Sequence, residues 1–202
     1  MWIIIFILVV ALIGGFLGAS HNIKKSSSDR NKAIDNAIES GFDINRHTVI
    51  SPISNTVFSV DTDKSLIGIF GKYSRRVIPF AEIVSIEIIE DGETIYQKGI
   101  LSTASRMVAG GILLGGIGAV AGGLTTSSKA KELVSQLSVK IKTNNIDKPT
   151  YTLTLFDSRD MTPDHKPAIP KKGAINSYMY QQAINDANQI KDLVDVIISQ
   201  QA

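Results

Sequence analysis

The sequence predicts an α+β protein: an N-terminal transmembrane helix, a mostly antiparallel β domain with a helical glycine-rich insertion, and a C-terminal amphipathic helix. Three observations predict this fold class. Residues 1–20 carry no charged side chain and have about the length of a bilayer-spanning helix. Runs of β-branched and aromatic residues, separated by turn formers, follow from about Thr48. The chain then closes on apolar residues that recur with the helical period.

The N-terminal segment, residues 1–20, is interpreted as a membrane anchor. A cleaved signal peptide is the alternative, but such peptides carry Lys or Arg before the apolar core, and here none precedes it. The first lysines, Lys24 and Lys25, come after it, so the positive-inside rule places the N-terminus outside and the β domain in the cytoplasm, at the inner membrane. Gly14 and Gly18 have the spacing that lets two anchors pack closely.

Residues 21–47 are predicted to form a juxtamembrane linker with one short helix. Ser28 is a candidate N-cap and Gly41 a candidate stop. Ile34, Ala37 and Ile38 would share one helical face. We expect a solvated connector here, with a docking helix as the alternative.

Residues 48–202 are predicted to form the β domain. The strand patterns cover residues 57–61, 65–70, 75–80, 82–90, 136–143 and 151–156. In the fourth of these, Val84, Ile86 and Ile88 should face the core, whereas Ser85 and Glu87 should face water. A Pro-rich loop over 158–175 and a helix over 177–201 complete the domain. The helix has an apolar stripe of Tyr180, Ala183, Ile184, Ala187, Ile190, Val194 and Ile197, broadened by Leu193 and Ile198.

The stretch GGILLGGIGAVAGG, residues 110–123, contains the dinucleotide-like spacing Gly116, Gly118, Ala121. That fingerprint requires a hydrophobic strand before the glycines and an acidic residue about 20 positions later. Polar and small residues precede this stretch, and no carboxylate follows at that distance until Asp147. We therefore do not expect a nucleotide site.

The same stretch has small residues in rows that bring helices into contact. The candidate membrane-insert packing residues are Gly111, Gly115, Gly118, Ala119, Gly122 and Gly123. Strands before and after the segment read as one sheet, and basic residues flank both of its ends. We therefore expect residues 100–131 to be a helical insertion, a hairpin or re-entrant element, that packs on the anchor or dips into the bilayer. A second transmembrane span is the alternative.

The string VFSVDTDKSLIGIFGKYSRRVIPFAEIVSIEIIEDGE resembles the first half of bacterial pleckstrin-homology-like (PH/GRAM-like) domains. The later hairpin and the closing helix are similar to the rest of that fold, so the resemblance covers roughly Thr48 to Gln201. The insertion is similar to glycine-rich segments of small bacterial and prophage membrane proteins. The resemblance implies a curved sheet plugged by the last helix, and binding of lipid headgroups or protein partners without chemistry.

The candidate chemistry is sparse. The chain has no cysteine, and its three histidines, His21, His47 and His165, lack ligand-like spacing. The carboxylates Asp61, Asp63, Glu87, Glu90, Asp91 and Glu93 are interpreted as turn and strand-end residues. No nucleophile motif is present. We expect no enzyme activity, no catalytic residue, no metal and no cofactor.

The predicted function is a membrane-anchored, non-catalytic binding or scaffold module. Possible headgroup contacts are Lys24, Lys25, Lys72, Arg75 and Arg76. The expected partners are membrane lipid and a protein partner or a second copy joined through glycine-rich helices. Nucleic acid is not expected, because the net charge is only +2. The alternative is a membrane-active immunity, superinfection-type or pore-forming factor that uses the glycine segment.

Overall fold

The computed structural model describes residues 26–99, 134–158 and 178–201. These ranges contain two helices and two antiparallel sheets of four strands each, so the α+β class is confirmed. The predicted anchor, the glycine segment and most of the Pro-rich loop lie outside the described residues. Within the described ranges, no helix has both the length and the apolar character of a membrane-spanning helix.

Helix α1 covers residues 26–39 and leads into the first sheet. That sheet has the order β1-β2-β3-β4. Its strands are Thr48–Ser51 (β1), Thr56–Asp61 (β2), Leu66–Gly71 (β3) and Ser74–Pro79 (β4). Each strand pairs antiparallel with the next through a tight turn, as the turn formers in the sequence predict. The β1–β2 and β3–β4 turns therefore share one end of the sheet, and the β2–β3 turn lies at the other.

A single 3-10 turn, Phe80–Glu82, carries the chain into the second sheet. Its strands are Ile83–Glu90 (β5), Glu93–Gly99 (β6), Gln136–Thr143 (β7) and Thr150–Asp157 (β8). Their order is β6-β5-β7-β8. β7 matches the predicted strand residue for residue, whereas β1 and β6 are strands that the sequence reading did not separate out.

This strand order constrains the glycine segment. β6 precedes the segment and β7 follows it, and both pair with β5, on its two edges. The two ends of the segment thus belong to one sheet and lie on the same side of any bilayer. A second transmembrane span that separates the strands is incompatible with this sheet, because strands on opposite sides of a membrane cannot pair. The alternative of a second transmembrane span, in which the segment crosses the bilayer once between β6 and β7, was therefore wrong.

Helix α2, Tyr178–Gln201, closes the domain over the inner faces of both sheets. Every residue of its predicted stripe from Tyr180 to Ile197 is buried, and Ile198 is buried as well. They join the inward-facing residues of both sheets in one cluster, whose fully buried members include Phe58, Ile67, Ile78, Ile86, Ile88 and Leu137. The amphipathic helix is therefore the plug that the resemblance implies.

The alternation predicted for β5 is wrong at its start. The pairing of β5 with β7 shifts register between Ile83 and Ser85. Ile83 is fully buried and Val84 only half-buried, since a bulge places an extra residue in one strand and reverses the local phase. Ser85, expected to face water, is 5% exposed, and so is Glu87. The Glu87 carboxylate lies between two lysines of β7, 2.5 Å from Lys142 Nζ and 4.0 Å from Lys140 Nζ.

Helix α1 is a docking helix, so the expectation of a solvated connector was wrong. Ala33 and Ala37 are fully buried on the outer face of the first sheet, opposite to the face that α2 covers. Ile38, expected on the apolar face, is 53% exposed. The helix is already formed at Ser26, so Ser28 is not its N-cap. Its predicted end is confirmed, because Gly41 adopts a φ of 79°.

Candidate functional site: the docked helix and the basic turn

Three of the five basic residues predicted to meet headgroups lie in the β3–β4 turn and on β4, beside α1. Lys72 Nζ is 2.7 Å from Asp29 Oδ1 on α1. Arg75 donates from Nε and Nη2 to Asn36 Oδ1, at 3.1 and 2.8 Å, and also pairs with Glu39. Two of the three predicted cations therefore hold α1 on the sheet, whereas Arg76 is exposed. Their contact with headgroups stays a prediction.

Asn36 is the centre of this contact, and it was not singled out from the sequence. Its side chain is buried, with Nδ2 donating to Gly71 O at 2.7 Å while Oδ1 accepts from Arg75. A single amide thus satisfies a turn carbonyl and a guanidinium at once. Its position between Ala33 and Ala37 on one helical face was the signal that could have found it. We call Asp29, Asn36, Glu39, Lys72 and Arg75 the polar latch.

A small apolar contact accompanies the latch on the outer face of the first sheet. The rings of Phe42 and Phe70 meet edge to face, with centroids 5.2 Å apart. Gly68, on β3, makes room for them, because a Cβ there would lie 2.3 Å from Phe70 Cε2 and 3.0 Å from Phe42 Cζ. Phe42 and Phe70 form a second hydrophobic cluster with Val57, Ala33 and Ala37. The first sheet is therefore covered on both faces.

Electrostatics strengthen the contact between α1 and the turn. The hydrogen bond to Asp29 raises the pKa of Lys72, so the ammonium stays charged beside that carboxylate. Lys72 Nζ also lies 4.8 Å from the centroid of the Tyr73 ring. At the other end of α1, Lys64 Nζ donates to Gly41 O at 2.8 Å. Asp29, in the first described turn of α1, and Gly41, just after its last turn, are thus each held by a lysine from a turn of the first sheet.

One end of the first sheet gathers the first described residues of α1 and two turns, and we call it the tip. Ser26 Oγ donates to Asn55 Oδ1 of the β1–β2 turn at 3.0 Å. The β3–β4 turn beside it carries Tyr73, whose side chain is 89% exposed. No large apolar or aromatic side chain of the described residues is more exposed except Ile146. The sequence reading did not select Tyr73.

Three of the carboxylates interpreted as turn and strand-end residues accept hydrogen bonds within the fold. Asp61 Oδ1 accepts from Lys64 N at 2.9 Å, and this backbone hydrogen bond holds the pKa of Asp61 below its usual range. Asp91 Oδ1 accepts from the backbone N–H groups of Ser135 and Gln136. Glu90 accepts from the hydroxyl of Tyr180, whose pKa is raised mainly by burial and then by this hydrogen bond. These contacts hold turns and α2 in place.

Two further places in the described residues carry polar side chains, a surface cleft and a buried position on α2. A surface cleft of about 260 Å³ lies at the β2–β3 end, between Gly41, Arg46, His47 and the turn from Asp61 to Lys64. Asp186, on α2, is 2% exposed and accepts from Gln182 Nε2 at 2.9 Å. Across residues 26–99, 134–158 and 178–201, no group of three or more acidic or histidine side chains is arranged to hold a metal ion.

The remaining predicted site residues lie outside the described residues. They are Gly14, Gly18, Lys24, Lys25, Gly111, Gly115, Gly118, Ala119, Gly122 and Gly123. Their roles in packing and headgroup contact stay predictions.

Two proteins are similar to this chain at 32% identity over 121 residues, 60% of its length. One is called "Immunity protein" of Bacillus phage SPbeta, and 56% of its length is covered. The other is called "SPbeta prophage-derived uncharacterized membrane protein YomJ" of Bacillus subtilis strain 168, and 50% of its length is covered. The chain thus spans about half the length of these relatives. No solved structure matches it significantly.

A family model described as "Glycine zipper containing PH domain" matches residues 47–157. This match covers more than half of the 202 residues and includes all eight strands. It agrees with the two-sheet fold and with the row of glycines between β6 and β7 that the sequence shows. The chain therefore belongs to the family of PH domains that contain a glycine zipper.

Proposed function

We propose that this protein is a membrane-anchored, non-catalytic binding module that acts at the inner membrane through lipid or protein contacts. The single observation that carries the proposal is the docking of α1. The described part of α1 begins five residues after the apolar segment 1–20 and is fixed to the β domain by the polar latch. A segment anchored in the bilayer would therefore hold the PH domain close to the surface, in one orientation.

The fold itself supports a binding role. Buried side chains of α2 and of both sheets form one packed cluster in the domain interior. The polar side chains of the latch and of the turns at Asp61 and Asp91 hold structural elements in place. Binding through loops and sheet surfaces is the use that such a scaffold permits.

Vesicle flotation tests the anchoring. The full chain is reconstituted with vesicles of phosphatidylethanolamine and phosphatidylglycerol, and so is a variant that lacks residues 1–20. We expect the full chain to float with the vesicles even at high salt, and the truncated protein to stay at the bottom while keeping its β-sheet circular dichroism. Recovery of the full chain in the lipid-free fraction would contradict the anchor.

A second candidate function is immunity, which is favoured by the name of the phage relative. In this role the module would protect the host cell that makes it, and the glycine row would mediate contact between helices in the membrane. The two candidates are compatible, because an immunity factor can act by binding.

Protection of cells tests the second candidate. Bacillus subtilis without the SPbeta prophage would express the wild-type chain or the double variant Gly115→Ile, Gly118→Ile, and then be challenged with phage SPbeta. We expect the wild type to lower plaque formation and the variant to lose this effect, since isoleucine prevents close helix approach. Thr62→Ile, at an exposed turn, is the matched control. Equal plaque numbers with and without the wild type would rule out immunity to this phage.

A further inference from the structure

Within the described residues, the two sheets have four edge strands, β1 and β4 in the first sheet and β6 and β8 in the second. An edge strand has unpaired backbone N–H and C=O groups, and proteins protect such strands with charges, prolines or a very short length. β1 has only four residues. β4 carries Arg75, Arg76 and Pro79, and β6 carries Glu93 and Lys98. Three of these four edges are therefore protected against pairing with another chain.

The fourth edge strand, β8, lacks these protections. It has eight residues, and from Thr150 to Phe156 it carries neither a charge nor a proline. Its register with β7 shifts only beyond Thr154, so its first five residues pair regularly. Within the described ranges, β8 pairs only with β7, and its other edge has no partner strand. This edge is therefore the one best suited to pairing with a further strand.

The backbone groups at the free edge of β8 belong to a row of threonines. At the start of the strand, Pro149 O accepts from Thr143 N at 3.0 Å, so the Pro149 carbonyl faces β7. Successive residues of an antiparallel strand direct their backbone groups to opposite sides. The N–H and C=O groups of Thr150, Thr152 and Thr154 therefore face away from β7, toward the free edge.

A second copy of β8 fits this edge without a conflict of charge. In an antiparallel pair centred on Thr152, Thr150 of each copy lies opposite Thr154 of the other copy, and Thr152 lies opposite itself. Cross-strand threonine pairs are favourable, whereas like charges directly opposite each other are destabilising. On the other face of the strand, Tyr151 and Leu153 come opposite each other. The strand is thus complementary to itself under twofold symmetry.

We propose that two copies of this chain pair through their β8 edges, so that their second sheets join into one continuous sheet. This inference rests on the proposed function, because it names a second copy as the protein partner of the anchored binding module. Backbone hydrogen bonds along the edge would provide the affinity. Two copies anchored in one membrane would also meet at a raised local concentration.

Disulfide formation tests the pairing, because the chain has no cysteine. In the proposed pair, Thr152→Cys places two Cα atoms about 5.5 Å apart, a separation that a disulfide spans. Val77→Cys is the control, because Val77 lies on the edge strand β4 and is 43% exposed. Both full-length proteins are reconstituted into vesicles of phosphatidylethanolamine and phosphatidylglycerol, oxidised mildly and separated on a non-reducing gel. We expect a disulfide-linked dimer for Thr152→Cys and none for Val77→Cys.

Two charge variants test the register in the Thr152→Cys background. Thr150→Lys with Thr154→Lys places like charges opposite each other in the pair, whereas Thr150→Lys with Thr154→Glu places opposite charges there. Both variants change the same two positions on the outer face of the sheet, so they are matched within one chain. We expect the lysine–lysine variant to lose most of its disulfide-linked dimer and the lysine–glutamate variant to keep it. Circular dichroism checks that both retain the same β-sheet content.

The proposal would be overturned by equal cross-linking of Thr152→Cys and Val77→Cys, because contact elsewhere on the chain would not distinguish the two edges. The absence of a dimer for Thr152→Cys, or equal dimer from the two charge variants, would also overturn it. Vesicle flotation separates this inference from the proposed anchoring. Protein that floats but forms no dimer overturns the pairing alone, whereas a dimer from protein that does not float overturns the anchoring alone.

Discussion

Helix α2 and helix α1 each cover a sheet of the same domain, but they do so with different chemistry. α2 places nine buried residues, from Tyr180 to Ile198, in contact with the inner faces of both sheets. α1 contributes two alanines to a small cluster on the outer face and relies on the polar latch at its margins. Apolar burial without direction stabilises a fold, whereas hydrogen bonds with strict geometry fix a position.

The difference between the apolar contacts of α2 and the polar contacts of α1 indicates that the two helices have different roles. We infer that α2 determines whether the PH domain is folded, and that α1 determines where the domain stands relative to the segment before it. Damage to α2 should lower the free energy of unfolding of the whole domain. Damage to the α1 contact should release the helix and leave the two sheets intact, since local units open separately when few contacts join them.

The largest effect is expected from the core face of α2. Ile190 is 1% exposed, and Ile190→Ala should lower the free energy of unfolding by about 2–5 kcal/mol through lost burial and the cavity left behind. Val196 lies on the same helix and is 57% exposed, so Val196→Ala should change it by only about 0.5 kcal/mol. Urea unfolding followed by circular dichroism measures both. Equal losses would mean that α2 is not a plug.

The next effect is expected where α1 packs most closely. Gly68→Ala places a Cβ against the Phe70 ring and should cost about 1–3 kcal/mol by overpacking. Because the strain falls on the outer face, hydrogen exchange should increase in α1 more than in α2. Val77→Ala is the control, because Val77 lies on β4 opposite Gly68 and is 43% exposed. Unchanged exchange in α1 would show that the Phe42–Phe70 contact does not hold the helix.

The latch should show an internal ranking. Asn36→Ala leaves Gly71 O and Arg75 without their amide partner and should weaken α1 docking by about 1–3 kcal/mol. Glu39→Gln removes one exposed charge and should cost at most about 1 kcal/mol. Limited proteolysis between α1 and β1 measures the release of the helix. Faster cleavage in Glu39→Gln than in Asn36→Ala would contradict the central place of Asn36.

The smallest effect concerns pH and α2. Burial raises the pKa of Asp186 above its usual 3.8, although Ser51 and Gln182 oppose the shift by hydrogen bonding. The folded state therefore holds this proton more tightly, so the contribution to stability is present at low pH and is lost as the pH rises through the folded pKa. Asparagine does not titrate, so Asp186→Asn should remove this loss of stability at higher pH. The Tm of the variant relative to wild type should increase from about pH 4 to about pH 8, and a constant difference would contradict it.

Much of the fold was predictable because its signals are local. The alternation of apolar and polar residues in β7 and the apolar stripe of α2 each repeat several times within one element. Gly41 marks the end of α1 because its positive φ is a backbone conformation that other residues rarely adopt. β6 was not predicted, because Glu93–Gly99 is mostly polar and only Tyr96 is buried. The bulge at Val84 depends on pairing with Lys142 and Thr143 of β7, which lie far along the chain, so no local pattern records it.

The candidate site was less predictable than the fold. Lys72 and Arg75 were selected as cations, but their partners Asp29 and Asn36 lie more than 35 positions earlier in the chain. Small residues such as Ala33, Ala37 and Gly68 give weak hydrophobic signals, although they permit the closest packing of α1. Glu87 reads as a water-facing residue because only the register with β7 places two lysines beside it.

Cysteine accessibility in intact cells tests the central claim most directly, namely that one sheet holds both ends of the glycine segment on one side of the membrane. Single cysteines are placed at Ser102, Ser127 and Thr62 in a chain that has none. The account predicts that all three react with an impermeant thiol reagent only after the membrane is opened. A cysteine at Ser127 that reacts in intact cells, while those at Ser102 and Thr62 do not, would contradict it.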